Sequence, residues 1–486
     1  MVTRRHALAA GIASASVGVT GASLVPLLTA RGAEAAAAEA PAAAAAAIEL
    51  FKVPLPLIPV ARPLSTAGGV DTYEVTTQRS TAEIVPGVRT DVLTYDGRFP
   101  GATIKARTNR PVVVIQRNGL DVPISRHLHG ASVPEDSDGG PMDTIEPGGV
   151  RVYRYPNRQP HASLWYHDHA HHVESENVYR GLHGSYLISD PVEDALPLPK
   201  GAYDVLIELR DANIDASGQL VYAMGDRTRN TLLANGVPYP YLEVAARKYR
   251  FRFANTSNMR FFELRLADGG ELIQIGSDGG LLPRPNPTPS VYLSSGERAD
   301  VVIDFSRYPV GTQLVLVNTG GRGPVEQVGQ VLRFDVTRTA DDPSSVPSVL
   351  RALPPLPAPT ATRSVVMRMD EDGSATAQAY LDEKVYDHAR VDQVVRYGAS
   401  EVWTVTNANV KAAHNFHMHL VQFRVLERNG QAPPASESGL KDTVVLQPGE
   451  TVKLQATFDS YRGAYVYHCH MLDHSAMGMM ATMKIR

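Results

Sequence analysis

The sequence predicts an all-β protein that folds as three consecutive β-sandwich domains. The chain has 486 residues, too many for one ordinary core, and its 39 Gly and 35 Pro suit a turn-rich β protein. Short runs of alternating or β-branched residues lie between turn residues, a pattern typical of sandwiches and barrels. Such runs occur at Pro111–Gln116, Gly184–Ile188, Lys248–Phe253, Ala299–Phe305, Gln313–Val317, Glu401–Val405 and Thr443–Leu446.

An internal repeat sets the number of domains. Pro147 and Pro448 each precede a His-X-His element by twenty residues, in matching segments without a gap. A third copy, around Ser295–Glu297, has Val315–Val317 where the other copies have histidines. Self-similarity of this kind indicates repeated structural units. We therefore predict domains over residues 48–190, 191–345 and 362–486, with no metal ligands in the middle one.

The first 40 residues are predicted to be an export signal and an Ala-rich linker. Thr3–Arg5 precedes a small-residue apolar run from Ala7 to about Ala30, which is the arrangement of a twin-arginine signal. Gly and Ser interrupt the run and Pro26 lies inside it, which favours a signal over a membrane anchor. We predict export by the twin-arginine machinery, an extracellular or cell-envelope location, and no membrane association after signal removal.

The net charge excludes one class of partner. The chain carries 47 Lys and Arg against 51 Asp and Glu, a formal charge of −4 at pH 7. A protein with this balance has no basic field to attract nucleic acid or anionic lipid. We therefore predict no nucleic-acid partner.

The only cysteine of the chain lies among metal-ligating residues. Cys469 stands between His468 and His470, and His474 and Met479 follow closely. A thiolate with imidazoles and a thioether is the ligand set of a blue copper electron-transfer centre. Because successive side chains on a strand face opposite sides, the cysteine can bind one metal while its neighbours reach another. The segment is therefore predicted to connect two metal sites.

Four His-X-His elements supply eight imidazoles in all, and two of these are the neighbours of the cysteine. They begin at His127, His167, His417 and His468, and His414 and His474 are left for the cysteine site. One such pair is more often incidental and could also bind zinc, but four pairs in two registered repeats predict a copper protein. In the first domain Asp168 occupies the position of Cys469, so only the third domain can hold the blue copper.

These motifs resemble those of the multicopper oxidases, in particular the bilirubin oxidase and spore-coat laccase group. The resemblance covers almost everything after residue 50. It rests on His127–Gly130, Pro134–Gly139, Trp165–Ala170, Glu176–Gly181 and the two C-terminal histidine motifs. It implies three consecutive cupredoxin-like Greek-key β-sandwich domains. It also implies one-electron oxidation of a small aromatic donor, such as a phenol or aminophenol, coupled to four-electron reduction of O2 to water.

The resemblance implies four coppers per chain, held by residues at the ligand positions of the family. The type 1 copper would be held by His414, Cys469 and His474, with Met479 as a weak axial ligand. The type 2 copper would be held by His127 and His417. The type 3 pair would be held by His129, His167, His169, His419, His468 and His470. The trinuclear cluster then lies between the first and third domains.

The resemblance also indicates a proton donor or relay. Asp138 matches an acidic position near the trinuclear cluster of this group, although Asp136–Gly139 is also good turn chemistry. Ser475 departs from the group, which usually has a carboxylate directly after the second type 1 histidine. This departure leaves Asp473, water or another path as the route for protons.

Two other functions stay open at the level of the sequence. A cuprous-ion oxidase is expected to carry a Met-rich insertion, and the chain has 12 Met without such a tract. A copper-binding envelope protein with little oxidase activity is expected to have lost ligands, and here every ligand position is filled. The reducing substrate does not follow from the sequence, because loops around the type 1 histidines select it.

Overall fold

The computed structural model describes residues 48–372 and 377–486, which form six β-sheets. The predicted signal and Ala-rich linker over residues 1–40 lie outside the described residues. Three hydrophobic cores each contain side chains from two sheets, so the six sheets form three sandwiches. No helix in the described part of the chain is long and apolar enough to cross a membrane.

The first sandwich consists of two four-stranded sheets. Its strands are β1 (Asp71–Ala82), β2 (Thr90–Tyr95), β3 (Gly101–Arg107), β4 (Val112–Asn118), β5 (Arg126–His129), β6 (Val150–Tyr155), β7 (Ala162–Asp168) and β8 (His183–Ser189). The sheets have the orders β2-β1-β4-β6 and β3-β8-β7-β5. Tyr73 and Val114 of one sheet and Leu164 and Tyr186 of the other belong to the same core.

The second sandwich is the largest. Its strands are β9 (Asp204–Ala212), β10 (Thr231–Ala234), β11 (Val237–Pro238), β12 (Tyr241–Ala245), β13 (Lys248–Asn255), β14 (Phe262–Leu266), β15 (Leu272–Ser277), β16 (Gly280–Thr288), β17 (Val291–Leu293), β18 (Arg298–Asp304), β19 (Gln313–Asn318) and β20 (Gln330–Arg338). The sheets have the orders β11-β10-β9-β13-β18-β15-β16 and β12-β20-β19-β14-β17. Phe251 and Phe334, whose ring centroids lie 5.0 Å apart, join the two sheets in one core.

The third sandwich ends the chain. Its strands are β21 (Ala361–Met369), β22 (Ala379–Leu381), β23 (Gln393–Val395), β24 (Ser400–Asn407), β25 (His414–Met418), β26 (Phe423–Arg428), β27 (Thr443–Leu446), β28 (Thr451–Thr457), β29 (Gly463–Cys469) and β30 (Met480–Ile485). The sheets have the orders β22-β21-β24-β28-β26 and β23-β30-β29-β25-β27. Trp403 and Tyr467 pack edge to face across the core, with centroids 5.3 Å apart.

One pairing pattern occurs in all three sandwiches. In one sheet a parallel pair (β1 with β4, β9 with β13, β21 with β24) is followed by an antiparallel neighbour (β6, β18, β28). In the other sheet an edge strand lies parallel to its neighbour in β3–β8, β12–β20 and β23–β30. The predicted all-β sandwich fold is confirmed. The domain limits at 48–190, 191–345 and 362–486 stay a prediction.

The α-helices in the described residues are short. They are α1 (Glu174–Arg180), α2 (Pro191–Ala195), α3 (Val325–Val328) and α4 (Leu472–Ala476). Helix α1 of the first sandwich contacts α4 of the third. This contact brings the segment after β7 next to the segment after β29.

A buried ionic network joins the first and second sandwiches. Arg250 donates to Glu193 at 2.5 Å and to Asp300 at 2.5 Å, and it also contacts the His161 ring at 3.0 Å. Arg252 adds a 3.0 Å contact to Glu193. Because all of these groups are removed from water, loss of one partner leaves an uncompensated charge inside the protein. The network fixes the first sandwich on the second.

Candidate metal centres

Two strands of the first sandwich and two of the third carry the predicted ligands to one place. His127 of β5 pairs with His167 of β7, and His417 of β25 pairs with His468 of β29. The second histidine of each element follows two residues later, on the same strand face or just beyond its end. Eight buried imidazoles from two sandwiches therefore meet at the boundary between them.

The eight imidazoles form three groups, each with ligand nitrogens within 4.8 Å of one another. The groups are His129 with His167 and His470, His169 with His419 and His468, and His127 with His129 and His417. The first two groups divide the six histidines predicted for the type 3 pair into sets of three. The third group contains both histidines predicted for the type 2 copper.

The ring nitrogens that face each other carry lone pairs. The Nδ1 of His419 donates to Asp138 Oδ2 at 2.8 Å, and the Nδ1 of His468 donates to the carbonyl oxygen of Cys469 at 3.0 Å. Since a neutral imidazole has one proton, the Nε2 atoms of both rings are acceptors. These two atoms lie only 3.3 Å apart. Two buried lone pairs at this distance repel unless a cation lies between them.

Burial keeps the imidazoles neutral and ready to bind a metal. It lowers the pKa of His167 to about 3 and of His468 to about 4. Burial, followed by the neighbouring histidines, lowers the pKa well below 6.5 for His127, His129, His169, His417, His419 and His470. Metal ions bind imidazole only in its neutral form. The cluster therefore requires no deprotonation before binding near neutral pH.

Asp138 lies at this cluster and holds one histidine from each of the two sandwiches. Its main-chain oxygen accepts from His127 Nδ1 at 2.7 Å, while its side chain accepts from His419 Nδ1. Burial, and then Asp143 and Glu135, raise its pKa well above the usual value. Its Oδ1 has no hydrogen-bond partner among the described residues. The carboxyl group therefore favours its protonated form and places that proton next to the cluster.

Asp442 holds two more histidines and was missed by the sequence analysis. Its main-chain oxygen accepts from His417 Nδ1 at 2.7 Å, and its Oδ1 accepts from His129 Nε2 at 2.9 Å. This leaves Nδ1 of His129 as the lone-pair atom, 3.0 Å from Nε2 of His470. Arg298 donates to both carboxylate oxygens of Asp442, so the aspartate is a paired anion. No motif marks this residue in the sequence.

The Nε2 atoms of His127 and His417 are buried without any partner in the described part of the chain. Both rings are fixed through Nδ1 by the main-chain oxygens of the two aspartates. An unsatisfied buried polar atom destabilises the folded protein by about 1–3 kcal/mol, so two such atoms in one metal-capable group indicate that this group binds a metal ion. The donor set at this place is suited to a metal that prefers imidazole.

The middle sandwich supports the cluster from outside. Ser295 Oγ donates to the carbonyl oxygen of His470 at 3.0 Å. Gly296, at φ +85°, lies against the same histidine, and a Cβ there would be 2.7 Å from its Nδ1. The Gly of the third repeat copy therefore serves the metal site, although its own sandwich contributes no residue to the metal-capable groups of the described chain.

The second centre contains His414, Cys469 and His474, as predicted. Cys469 Sγ lies 3.8 Å from Nδ1 of His414 and 3.7 Å from Nδ1 of His474. The Nε2 of His414 donates to Asn409 at 2.9 Å, which leaves its Nδ1 as a lone-pair atom 3.1 Å from Nδ1 of His474. The main chain of Met479 donates to the His474 carbonyl oxygen and accepts from the Cys469 N–H.

The thiol of Cys469 needs a metal to become a thiolate. Burial raises its pKa to about 12, although main-chain N–H groups of Asn415 and Met471 act in the opposite direction. A coordinating metal deprotonates such a thiol. Burial lowers the pKa of His414 to about 2 and that of His474 to about 4, so both imidazoles are neutral.

The carboxylates near Ser475 come from two different sandwiches. Asp473 is fully buried and accepts from the Gly225 N–H at 2.6 Å and from Arg229 at 3.1 Å. Glu174 of α1 is fully buried too, and its Oε1 lies 3.5 Å from Ser475 Oγ. Burial raises the pKa of Glu174 to about 8, so it holds a proton at neutral pH.

Comparison with known proteins identifies the family. The sequence model of the multicopper oxidases matches residues 76–193 and 357–486. A laccase from Bacillus subtilis strain 168 is 35% identical over 511 aligned positions, which span 90% of this chain and 99% of the laccase. The chain belongs to the multicopper oxidases. It is therefore a copper-binding oxidoreductase with O2 as the electron acceptor.

Other multicopper oxidases and related enzymes are similar along most of the chain. A bilirubin oxidase from Albifimbria verrucaria is 37% identical over 466 positions, which span 89% of this chain and 80% of that enzyme. The crystal structure of a laccase from Pediococcus acidilactici superposes with a TM-score of 0.82 at 31% identity, over 90% of this chain and 95% of that one. The predicted family and its cupredoxin-like fold are confirmed.

Copper fits the residues of both centres. Imidazoles with one thiolate suit a blue copper, and imidazole alone suits the other coppers of a multicopper oxidase. Seven of the ten rings are also oriented by a hydrogen bond from the second ring nitrogen, as metal-binding histidines usually are.

Proposed function

We propose that this multicopper oxidase binds four coppers and couples one-electron oxidation of phenolic, aminophenol or related aromatic donors to four-electron reduction of O2 to water. The pairing of β25 with β29 gives the most direct support. Phe416 pairs with Cys469, and His417 pairs with His468. Adjacent residues of β29 therefore point to opposite faces, one toward the cysteine centre and one toward the eight imidazoles.

The proposed ligand roles follow the observed groups. The type 1 copper would be held by His414, Cys469 and His474, with Met479 as the proposed thioether ligand. The type 2 copper is bound by His127 and His417. The type 3 pair is bound by His129, His167 and His470 on one side and by His169, His419 and His468 on the other. Copper in these sites supplies one-electron redox chemistry, which the side chains of the protein lack.

The segment His468–His470 connects the two centres covalently. Electrons from a donor at the cysteine centre have a path of only one peptide unit to either neighbouring histidine. For a phenolic donor the balanced reaction is 4 ArOH + O2 → 4 ArO• + 2 H2O. Four donor molecules each lose one electron and one proton, and O2 gains all four electrons and all four protons. The chain must therefore admit protons to the cluster as well as electrons.

We assign proton donation to Asp138. Its buried carboxyl group touches His419, has one oxygen without a hydrogen-bond partner among the described residues, and has a raised pKa. Asp138→Asn keeps an oxygen that accepts from the histidine but cannot release a proton. We expect this variant to retain copper and anaerobic bleaching of the blue band, and to reoxidise more than tenfold more slowly. Asp138→Ala is the matched control, because it removes the contact with the histidine as well.

Copper analysis and O2 consumption test the main proposal. We expect about four coppers per chain, intense blue absorption, and one O2 consumed for every four one-electron equivalents, without release of peroxide. Cys469→Ser should lose the blue band and donor oxidation while keeping the other coppers. Far fewer coppers in the wild type, or peroxide as the main product, would contradict the proposal.

We also propose export through the twin-arginine machinery. The support is the sequence at Thr3–Arg5 and the apolar run that follows it. A fusion of residues 1–47 to a reporter should be exported, and replacement of Arg4 and Arg5 by Lys should stop export. Unchanged export of the double variant would contradict the assignment.

A further inference from the structure

A cavity of about 880 Å³ lies beside the cysteine centre. Of the predicted copper ligands, His474 alone lines the cavity among the described residues. Its Nδ1 faces Cys469 Sγ, so the opposite edge of the ring is the part that a donor can approach. The side chains around this cavity therefore select the reducing substrate.

The charged side chains around the cavity are mostly cationic. The cations are Arg227, Arg229, Arg260, Arg322 and Lys411, and the carboxylates are Asp211, Asp226 and Asp473. Two cations are compensated, because Arg229 lies 3.1 Å from Asp473 and Arg260 lies 3.0 Å from Asp211. The remaining carboxylate, on Asp226, accepts hydrogen bonds from Thr228 and Asn213.

Arg227 and Arg322 remain uncompensated. Both are exposed, and neither has an ion-pair partner in the described part of the chain. Both line the same cavity as His474. Lys411 also lacks an ion pair there, but Glu371 accepts from its main-chain N–H at 3.0 Å and offsets part of its charge. The two arginines are therefore the main source of the positive field.

The rest of the cavity wall suits a flat aromatic molecule. Phe261 lines it together with five methionines, which are Met224, Met259, Met369, Met471 and Met477. Thioethers and aromatic rings pack favourably on aromatic faces. A donor can therefore be held by its ring while a charged substituent reaches the arginines.

We propose that the reducing substrate of this enzyme is an aromatic donor that carries a carboxylate or another anionic group. The proposal rests on the proposed function and narrows its substrate class. The ring lies against the exposed edge of His474 and the methionines, and the anionic group pairs with Arg227 and Arg322. Guanidinium groups recognise carboxylates by two parallel hydrogen bonds, which also fixes the orientation of the ring. The donor gives one electron and its phenolic proton and leaves as a radical.

The same charges disfavour a metal-ion donor. Cu(I) could find thioether ligands in the five methionines, but it would approach His474 through the field of two uncompensated arginines. Like charges repel through a partly exposed cavity, and two of the three carboxylates are already paired with arginines. A cuprous-ion oxidase is therefore the less suitable function for this site.

A matched pair of donors tests the proposal on the copper-loaded enzyme. The donors are 2-aminophenol and 3-hydroxyanthranilate, which is an aminophenol with a ring carboxylate. We compare the ratio of their kcat/KM values in the wild type and in Arg227→Gln/Arg322→Gln. Two partly exposed ion pairs are each worth up to about fivefold, so the ratio should fall on the order of tenfold in the double variant. It should also fall with ionic strength in the wild type.

Two controls separate local from general charge effects. Arg62→Gln/Arg158→Gln removes the same charge from exposed positions that do not line the cavity, and its ratio should change less than about twofold. Binding is measured separately by calorimetry with benzoate and its neutral isostere benzamide, neither of which is oxidised. Benzoate should bind more tightly to the wild type, and this preference should disappear in the cavity variant.

An unchanged kcat/KM ratio in the cavity variant overturns this inference, as does an equal fall in the control variant. Equal affinity of the wild type for benzoate and benzamide overturns it too. Cu(I) oxidised faster than both organic donors by the wild type would replace it with the metal-oxidase function. A copper-loaded protein that oxidises no donor and has no blue band would instead refute the proposed function itself.

Discussion

Substitution of Glu174 by Gln should change how the stability of this oxidase depends on pH. The carboxyl group is fully buried, its Oε2 has no partner among the described residues, and burial raises its pKa from 4.5 to about 8. A raised pKa in the folded state means that folding favours the protonated form. The stabilisation is fully present below pH 4.5 and is lost as pH rises through 8.

The size of the effect follows from the shift. Each pH unit between the two pKa values changes the free energy of unfolding by about 1.4 kcal/mol, so the wild type should lose about 4 kcal/mol between pH 5 and pH 8 through this group. Glu174→Gln removes the titration and preserves the shape. Asp168, whose pKa burial raises to about 7, is present in both proteins, so its contribution largely cancels in the difference.

Urea unfolding at equilibrium measures this difference at pH 5, 6, 7 and 8. Copper-free protein is used, because the affinity for copper itself changes with pH. The variant should become more stable than the wild type as pH rises. Glu176→Gln, on the same helix at a half-buried position, should run parallel to the wild type. If the curves of Glu174→Gln and the wild type are parallel as well, the carboxyl group is already ionised in the folded protein and the reasoning is wrong.

Three further substitutions probe the surroundings of the two centres. Gly296→Ala drives a methyl group to 2.7 Å from Nδ1 of His470 and should lower copper content and thermal stability, whereas Gly87→Ala, at a similar φ but with open space, should keep its copper. Asp300→Asn leaves two buried arginines undercompensated and should cost about 3–5 kcal/mol in urea unfolding, against under about 1 kcal/mol for Asp335→Asn in a partly exposed pair. Asn415→Pro removes a main-chain N–H that acts on Cys469 Sγ and should lower the reduction potential of copper in the proposed cysteine centre by on the order of 40 mV in a redox titration, the equivalent of about 1 kcal/mol. Copper retained in the first case, equal losses in the second and an unchanged potential in the third would contradict these arguments.

The fold could be predicted from the sequence because its signals are local. Turn residues and β-branched runs mark the seven segments named above, each of which overlaps a strand, and the segment Thr443–Leu446, for example, is a strand with the predicted limits. The two histidines of each His-X-His element could be assigned to the same cluster of eight imidazoles for the same reason. Residues two apart on a strand share a face whatever the rest of the chain does.

Of the two aspartates that orient these histidines, Asp138 could be placed near the cluster only through the family resemblance, and Asp442 could not be predicted, because tertiary contacts bring it in. Asp138 follows His129 by nine residues, whereas Asp442 follows His419 by 23 residues, so the repeat does not align the two aspartates. Glu174 illustrates the same limit. It lies beside Ser475 only because α1 packs on α4, 301 residues away along the chain.

The crossed contacts of the two aspartates have a consequence for assembly. Asp138 fixes the proton on a ring of the third sandwich, and Asp442 fixes the proton on a ring of the first. The first or the third sandwich alone would therefore lack half of the ligands. It would also lack the hydrogen bond that fixes the tautomer of one histidine that it keeps. Copper loading and docking of the two sandwiches are then one linked equilibrium. A mutation that loosens the boundary between them weakens the affinity for copper without touching a ligand, and copper in turn tightens that boundary.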